Sequence, residues 1–186
     1  MHSHTIPSPL GDLIAVASET RLILLEFADS KGLEKKISVI ARSYSDVANQ
    51  WQKKDSAYWL DRFMLRDDGN NKILKETELQ LGEYFAGTRK SFTLTHEPVG
   101  TDFQLQSWKA LQKIPYGETR SYKEEAILAW NPKAVRAIGW ANNKNPIVII
   151  IPCHRVIGAS GDLIGYGWGL ERKKWLLDLE RWGTKR

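Results

Sequence analysis

Five consecutive β-branched residues, Ile147-Val148-Ile149-Ile150-Ile151, stand between Pro146 and Pro152. Side chains of this kind are stiff at χ1 and fit a pleated surface better than a helix, so the run predicts a buried strand. Pro152 stops that strand. The only cysteine of the chain follows at once, in Pro152-Cys153-His154-Arg155-Val156, just beyond a strand end where functional groups are often displayed.

A thiolate is the reactive form of cysteine, and a neighbouring histidine can promote it. A lone cysteine judged by type alone is more often a small buried hydrophobe. Its histidine neighbour argues for a nucleophile. One cysteine forms no internal disulfide, so nothing indicates an oxidising compartment. No apolar run is long enough to span a bilayer, and Met1-His2-Ser3-His4 lacks the pattern of a signal peptide. A cytoplasmic protein without a membrane partner is expected. At 186 residues, 42% hydrophobic and 26% charged, the chain has the make-up of one large globular domain or two small ones.

The net charge of +5 is unevenly placed. Residues 101–186 carry 14 lysines and arginines against 8 acids, whereas residues 1–100 carry 13 against 14. The basic half is the half with Cys153, and such a surface attracts polyanions by releasing their counterions. A generic solvated surface would have the same balance.

The first half reads as mixed strand and helix. Leu13–Ala17 and Leu22–Phe27 are apolar runs separated by a turn at Ser18–Arg21, and Lys72–Phe85 is helical, with Leu74, Leu79, Leu81 and Phe85 among polar neighbours. Residues 43–70 are polar and punctuated by Trp. His96-Glu97-Pro98-Val99-Gly100 breaks structure, dividing the chain into residues 1–95 and 96–186. Beyond it, Thr101 or Asp102 caps a helix bearing Leu105, Trp108 and Leu111. A second helix covers Tyr122–Ala129, and Asn131-Pro132 interrupts it. A third begins near Lys133, with Val135 and Ile138 on one face and Arg136 on another. The pair fits a helix-turn-helix against DNA, or equally two packed core helices. A glycine-rich loop follows Cys153, and a last helix begins near Glu171 with Trp175, Leu176 and Leu179 inward. The class expected is α+β, with a small sheet in the first domain and a mostly helical second.

Pro152-Cys153-His154-Arg155-Val156 is joined, in order and spacing, by Arg136-Ala137-Ile138-Gly139, Asn145-Pro146, Gly165-Tyr166, Lys173-Lys174-Trp175-Leu176-Leu177 and Glu180. Together these resemble the O6-alkylguanine-DNA alkyltransferases, or methylated-DNA–protein-cysteine methyltransferases. The likeness covers residues 101–186; in the first half it is limited to Pro7-Ser8-Pro9-Leu10-Gly11. It implies a ribonuclease H-like first domain and a winged-helix-like second. It also implies cofactor-free, single-turnover repair of double-stranded DNA, in which the alkyl group passes irreversibly from O6 of guanine to Cys153. O4-alkylthymine is a second candidate substrate.

The resemblance further assigns roles. A lesion in a duplex is out of reach and must be flipped out. Arg136 would fill the vacated stack from the minor groove, with Tyr122, Ser121, Ala137 and Arg155 on the DNA-binding surface. Glu180 would orient His154, which would deprotonate Cys153 through a water, in the logic of a catalytic triad. Asn145 would brace the turn. Tyr122 would donate to N3 of the leaving guanine and the Gly167 N–H to O6. Carbonyls of Cys153 and Val156 would read the exocyclic amine, and Tyr166, Gly167 and Trp168 would complete the base pocket. No metal is expected, since the first half lacks the ligands of a structural zinc site.

Three residues depart from the pattern. Trp168 stands where many relatives have a small residue and should narrow the pocket. Trp140 either lies on the DNA face or fills core, and Glu125 sits where an apolar side chain belongs. Two other readings compete: a lesion-binding module without chemistry, against which Cys153 argues, and a cysteine hydrolase, whose base would not adjoin its nucleophile in sequence.

Overall fold

The computed structural model describes residues 1–44 and 70–182, so the Trp-punctuated segment lies almost entirely outside the described residues. These residues form two compact units. One takes in the chain up to Gly82 with Thr93–Val99; the other takes in Glu83–Phe92 and the chain from Gly100.

In the first unit, β1 (His2–Ile6), β2 (Leu13–Ala17) and β3 (Leu22–Phe27) form an antiparallel meander. The register runs from His2 opposite Ala17 to Ile6 opposite Leu13, and β2 pairs Leu13 with Phe27, slipping between Val16 and Ala17. Every residue of β3 is buried. Helix α1 (Leu33–Tyr44) lays Ile37 and Ile40 on Val16, Ile23 and Leu24. Glu26, the one acid in β3, is ion-paired with Lys36, as a buried charge requires. Helix α2 (Lys72–Phe85) starts where Asn71 Oδ1 accepts from Leu74 N at 3.0 Å. It buries Leu74 and Leu81, while Leu79 faces solvent.

The second unit is mostly helical. Thr101 caps α3 (Asp102–Leu111) and Ser121 caps α4 (Tyr122–Leu128), each through a reciprocal box closed by Gln104 or Glu124. Helix α5 (Val135–Asn143) follows a connection through Asn131-Pro132, giving the expected helix-turn-helix. Alanines 110, 126 and 129 let these helices close over Ile138. A short parallel pair, β4 (Arg120–Ser121) with β5 (Val156–Ile157), sets the start of α4 beside the chain leaving Cys153. Helix α6 (Leu170–Trp182) ends the described chain.

The anomaly at Glu125 has a structural answer. Its carboxylate is buried in a ring that ties α3, α4 and α5 together. Asn142 Nδ2 donates to Glu125 Oε2 at 2.7 Å, and Ser107 Oγ lies 3.2 Å from Glu125 Oε1 and 3.4 Å from Asn142 Oδ1. A protonated Glu125 closes this ring: Oε1–H donates to Ser107, Ser107 donates to Asn142 Oδ1, and the amide returns a hydrogen bond to Oε2. An ionised Glu125 takes the Ser107 proton for itself and strands Asn142 Oδ1. Burial pushes the carboxyl up to about 8, against the lowering effect of Asn142, Ser107 and Lys173.

Residues 147–151 are not a strand. All five are buried, but they follow successive turns: Ile150 N donates to Val148 O, Ile151 N to Ile147 O and Cys153 N to Ile151 O, at 2.8–3.0 Å. Ile149 has φ +70°, a true outlier for a β-branched residue that costs about 1–3 kcal/mol. The run was selected for burial and not for pleat. The amides of Ile147, Ile150 and Ile151 find their partners locally, within four residues.

Candidate active site

The turn at 147–151 is held by one amide. Asn145, fully buried, accepts from Ile147 N at 3.0 Å through Oδ1 and donates through Nδ2 to Ile151 O at 2.8 Å. The same Nδ2 lies 3.3 Å from Cys153 Sγ. It thus fixes the turn and offers a hydrogen bond to the thiol, which favours the thiolate. Cys153 opens a single 3₁₀ turn, Cys153–Arg155, and is 3% exposed.

His154 is wholly buried. Its Nε2 lies 2.9 Å from Glu180 Oε1, and its buried Nδ1 has no protein hydrogen-bond partner. Donation from Nε2 to the carboxylate fixes the tautomer and leaves the Nδ1 lone pair as the proton acceptor. Burial lowers the histidine pKa, outweighing the raising effect of Glu180, so the ring is the neutral base. Glu180 itself accepts from Tyr84 Oη at 2.8 Å, from Gly117 N at 3.1 Å, and from Arg155 Nε and Nη2 at 2.9 Å each. Burial acts to raise its pKa, but His154 and Arg155 overturn that and hold it well below the ordinary carboxylate range.

Arg155 therefore does not belong to a DNA surface. Its guanidinium is buried and turned inward, with Nε and Nη2 donating to Glu180 and Nη1 to Ile114 O at 2.6 Å. The phenol of Tyr84 escaped sequence reasoning because its partner lies 96 residues away in sequence.

Tyr122 faces the glycine-rich loop. Its hydroxyl donates to Gly165 O at 2.9 Å and is 3.2 Å from Ile164 O. Burial, with Cys153 and Glu125 nearby, raises its pKa to about 12, so it is a proton donor at neutral pH. Gly165 has φ +59°, and a Cβ there would come within 2.6 Å of the Tyr122 hydroxyl. Gly165→Ala should therefore displace Tyr122 and slow, by roughly tenfold, any reaction in which its hydroxyl is the proton donor. Single-turnover rates check this; an unchanged limiting rate would refute it.

Lys173 was not foreseen as a site residue. It is buried, donates to Ile164 O at 2.6 Å and lies 5.9 Å from the ring centres of Tyr122 and Tyr166. Burial lowers its pKa to about 8, opposed by Cys153 and Glu125. Trp168 is buried and meets Tyr166 edge to face, with centroids 4.9 Å apart. Gly167 lies against α5, where a Cβ would fall 2.6 Å from Asn143 Oδ1. Val156 is buried in β5. Arg136 and Ala137 are exposed on α5, Ser121 spends its hydroxyl as the cap of α4, and Trp140 lies on the surface.

Among the described residues no helix is long and apolar enough to cross a membrane. The family model described as the 6-O-methylguanine DNA methyltransferase ribonuclease-like domain matches residues 1–98, and that family's DNA-binding domain model matches residues 102–182. The methylated-DNA–protein-cysteine methyltransferase of Methanosarcina barkeri is 43% identical, covering 97% of both chains. That of Mycobacterium leprae is 40% identical over 97% of this chain and 93% of its own. The crystal structure of Mycobacterium tuberculosis OGT in complex with DNA is similar with a TM-score of 0.73 and 39% identity, over 97% of this chain and 93% of that one. By both its halves, the chain belongs to the 6-O-methylguanine DNA methyltransferase family.

Proposed function

We propose that this protein repairs O6-alkylguanine in double-stranded DNA by moving the alkyl group to Cys153 in one irreversible step. The reading rests above all on the order Glu180, His154, Cys153: a pinned carboxylate, a neutral buried base with one lone pair to spare, and a thiol that Asn145 touches. His154 takes the thiol proton through a water. The sulfur then attacks the alkyl carbon, the bond from that carbon to O6 breaks, and a thioether forms. The departing guanine carries the electron pair and is met by donors, with the Tyr122 hydroxyl assigned to N3 and the Gly167 N–H to O6.

Arg136, exposed on α5, is assigned to the stack vacated by the extruded nucleotide, with Ser121 and Ala137 beside it on the DNA-binding surface. Carbonyls of Cys153 and Val156 would read the exocyclic amine, and Tyr166, Gly167 and Trp168 would wall the pocket. Residues 1–95, with Tyr84 as the exception through its hydrogen bond to Glu180, serve as support for the reactive part, residues 96–186, and the protein acts as a cytoplasmic monomer.

The test is the intact mass of the protein after incubation with duplex DNA holding one O6-methylguanine. A single added methyl on Cys153, a restored guanine and no second turnover are expected. Tight binding without any mass change would make this a lesion-recognition protein instead.

The buried Trp168 should also exclude bulky groups. Trp168→Ala should raise the rate with free O6-benzylguanine at least about tenfold relative to a methylated duplex. Equal ratios in variant and wild type would remove Trp168 as the gate.

A further inference from the structure

Helix α5 shows solvent a row of side chains that the catalytic scheme uses only in part. Arg136, Trp140 and Asn143 succeed one another at helical spacing and all are exposed. Trp140 is 70% exposed, and the described residues give its indole no ring contact or hydrogen bond. The row leads to the site. Asn143 Oδ1 lies 2.6 Å from where a Cβ on Gly167 would be, and the Tyr122 ring lies 3.7 Å from where a Cβ on the neighbouring Gly139 would be. The exposed charge on this stretch of chain has one sign: no Asp or Glu occurs between Glu125 and Asp162, while Lys133, Arg136 and Lys144 lie exposed in that interval. An exposed indole on an acid-free helix, beside the pocket wall, is suited to a polyanion that also presents flat apolar groups.

We propose that Trp140 is a second DNA-engaging residue of α5, one turn beyond Arg136. Its indole packs against sugar and base edges next to the extruded nucleotide and holds the opened duplex. This rests on the repair reading above, but it assigns to an aromatic side chain a share of recognition that the charges do not supply. An aromatic contact differs from a phosphate contact in one measurable way: it contributes affinity without releasing counterions.

The experiment compares wild type, Trp140→Ala, Trp140→Phe and Arg136→Ala. Two quantities are read. One is the ratio of the single-turnover rate constant on a methylated duplex, below saturation, to that on free O6-methylguanine, which needs no groove. The other is duplex affinity against salt in the Cys153→Ser background. Trp140→Ala should lower the ratio about tenfold, with Trp140→Phe recovering most of it. It should weaken duplex binding without changing the slope of log affinity on log salt, whereas Arg136→Ala should flatten that slope.

An unchanged ratio in Trp140→Ala overturns the proposal. Equal losses on duplex and free base overturn it too, because they mark a structural role. An unchanged ratio with loss of a concentration-dependent dimer in sedimentation would instead assign the indole to self-association. A wild-type protein that leaves the methylated duplex unrepaired would sink the repair reading itself, and this proposal with it.

Discussion

Glu180→Gln should cut alkyl transfer by at least about a hundredfold and also destabilise the fold by about 3–5 kcal/mol. Five donors converge on this carboxylate: two from Arg155 and one each from His154, Tyr84 and Gly117. An amide keeps the shape but removes the charge, and whichever oxygen its NH₂ replaces, it faces an Arg155 N–H that can only donate. Arg155 is left buried without a counter-ion, which is the large term in stability. His154 loses the acceptor that fixes its tautomer, which is the large term in rate. The two losses are separable. Adding Arg155→Met removes the orphaned charge, so the double variant should regain much of the stability and none of the rate. Urea midpoints and single-turnover rates decide it: recovery of both, or of neither, would show that the two functions of this carboxylate are not distinct. The stability from the Glu180 carboxylate is present above the usual carboxylate pKa and is lost as pH falls below it, because its folded pKa is depressed.

Glu125 should behave with the opposite sign. Its carboxyl is held up to about 8 in the folded protein, so the folded state binds a proton that the unfolded chain releases above about 4.5. Stability from this group is therefore full below the unfolded pKa and is lost as pH rises toward the folded pKa. Glu125→Gln mimics the protonated acid: its NH₂ donates to Ser107 and its carbonyl accepts from Asn142. The variant should match wild type near pH 5 and exceed it by roughly 3 kcal/mol at pH 8. Taking the difference between the two proteins cancels the titrations of His154 and Lys173. Urea unfolding at pH 5, 6.5 and 8 gives the answer, and a difference that does not grow with pH would mean that the ring accommodates the charged form.

Much of the fold could be read because its signals are local. The apolar runs of β2 and β3, the cap at Thr101 and the pattern of α2 each fall within a few residues, and the structure places these elements where they were expected. Strand β1 could not be seen that way, because His2-Ser3-His4-Thr5-Ile6 has no apolar alternation and is a strand only through pairing with β2. The run at 147–151 misled because β-branched residues report burial and pleat alike, and here only burial applies. Glu125 looked like an error of composition because its partners, Ser107 and Asn142, sit on other helices. Arg155 was misplaced for a related reason. The family resemblance puts it on the DNA-binding surface, and only the return of α6 with Glu180 turns it inward. Asn145 and His154 were legible from the motif; Tyr84 was not, since its partner Glu180 is distant in the chain, and Lys173 was not, since a lysine on a helix reads as a solvated side chain and here it is buried.

The Tyr84 phenol has a consequence for how such a protein can be taken apart. Proline, glycine and charge at 96–100 make that stretch look like a seam, and a fragment cut there would retain cysteine, histidine and glutamate. It would lack the phenol that Glu180 depends on, because Glu83–Phe92 packs as part of the second unit. Modularity along the chain and modularity in space therefore part company by about a dozen residues. A chimera that borrows only the reactive part would inherit the motif without its full wiring; one spliced upstream of Glu83 would inherit both.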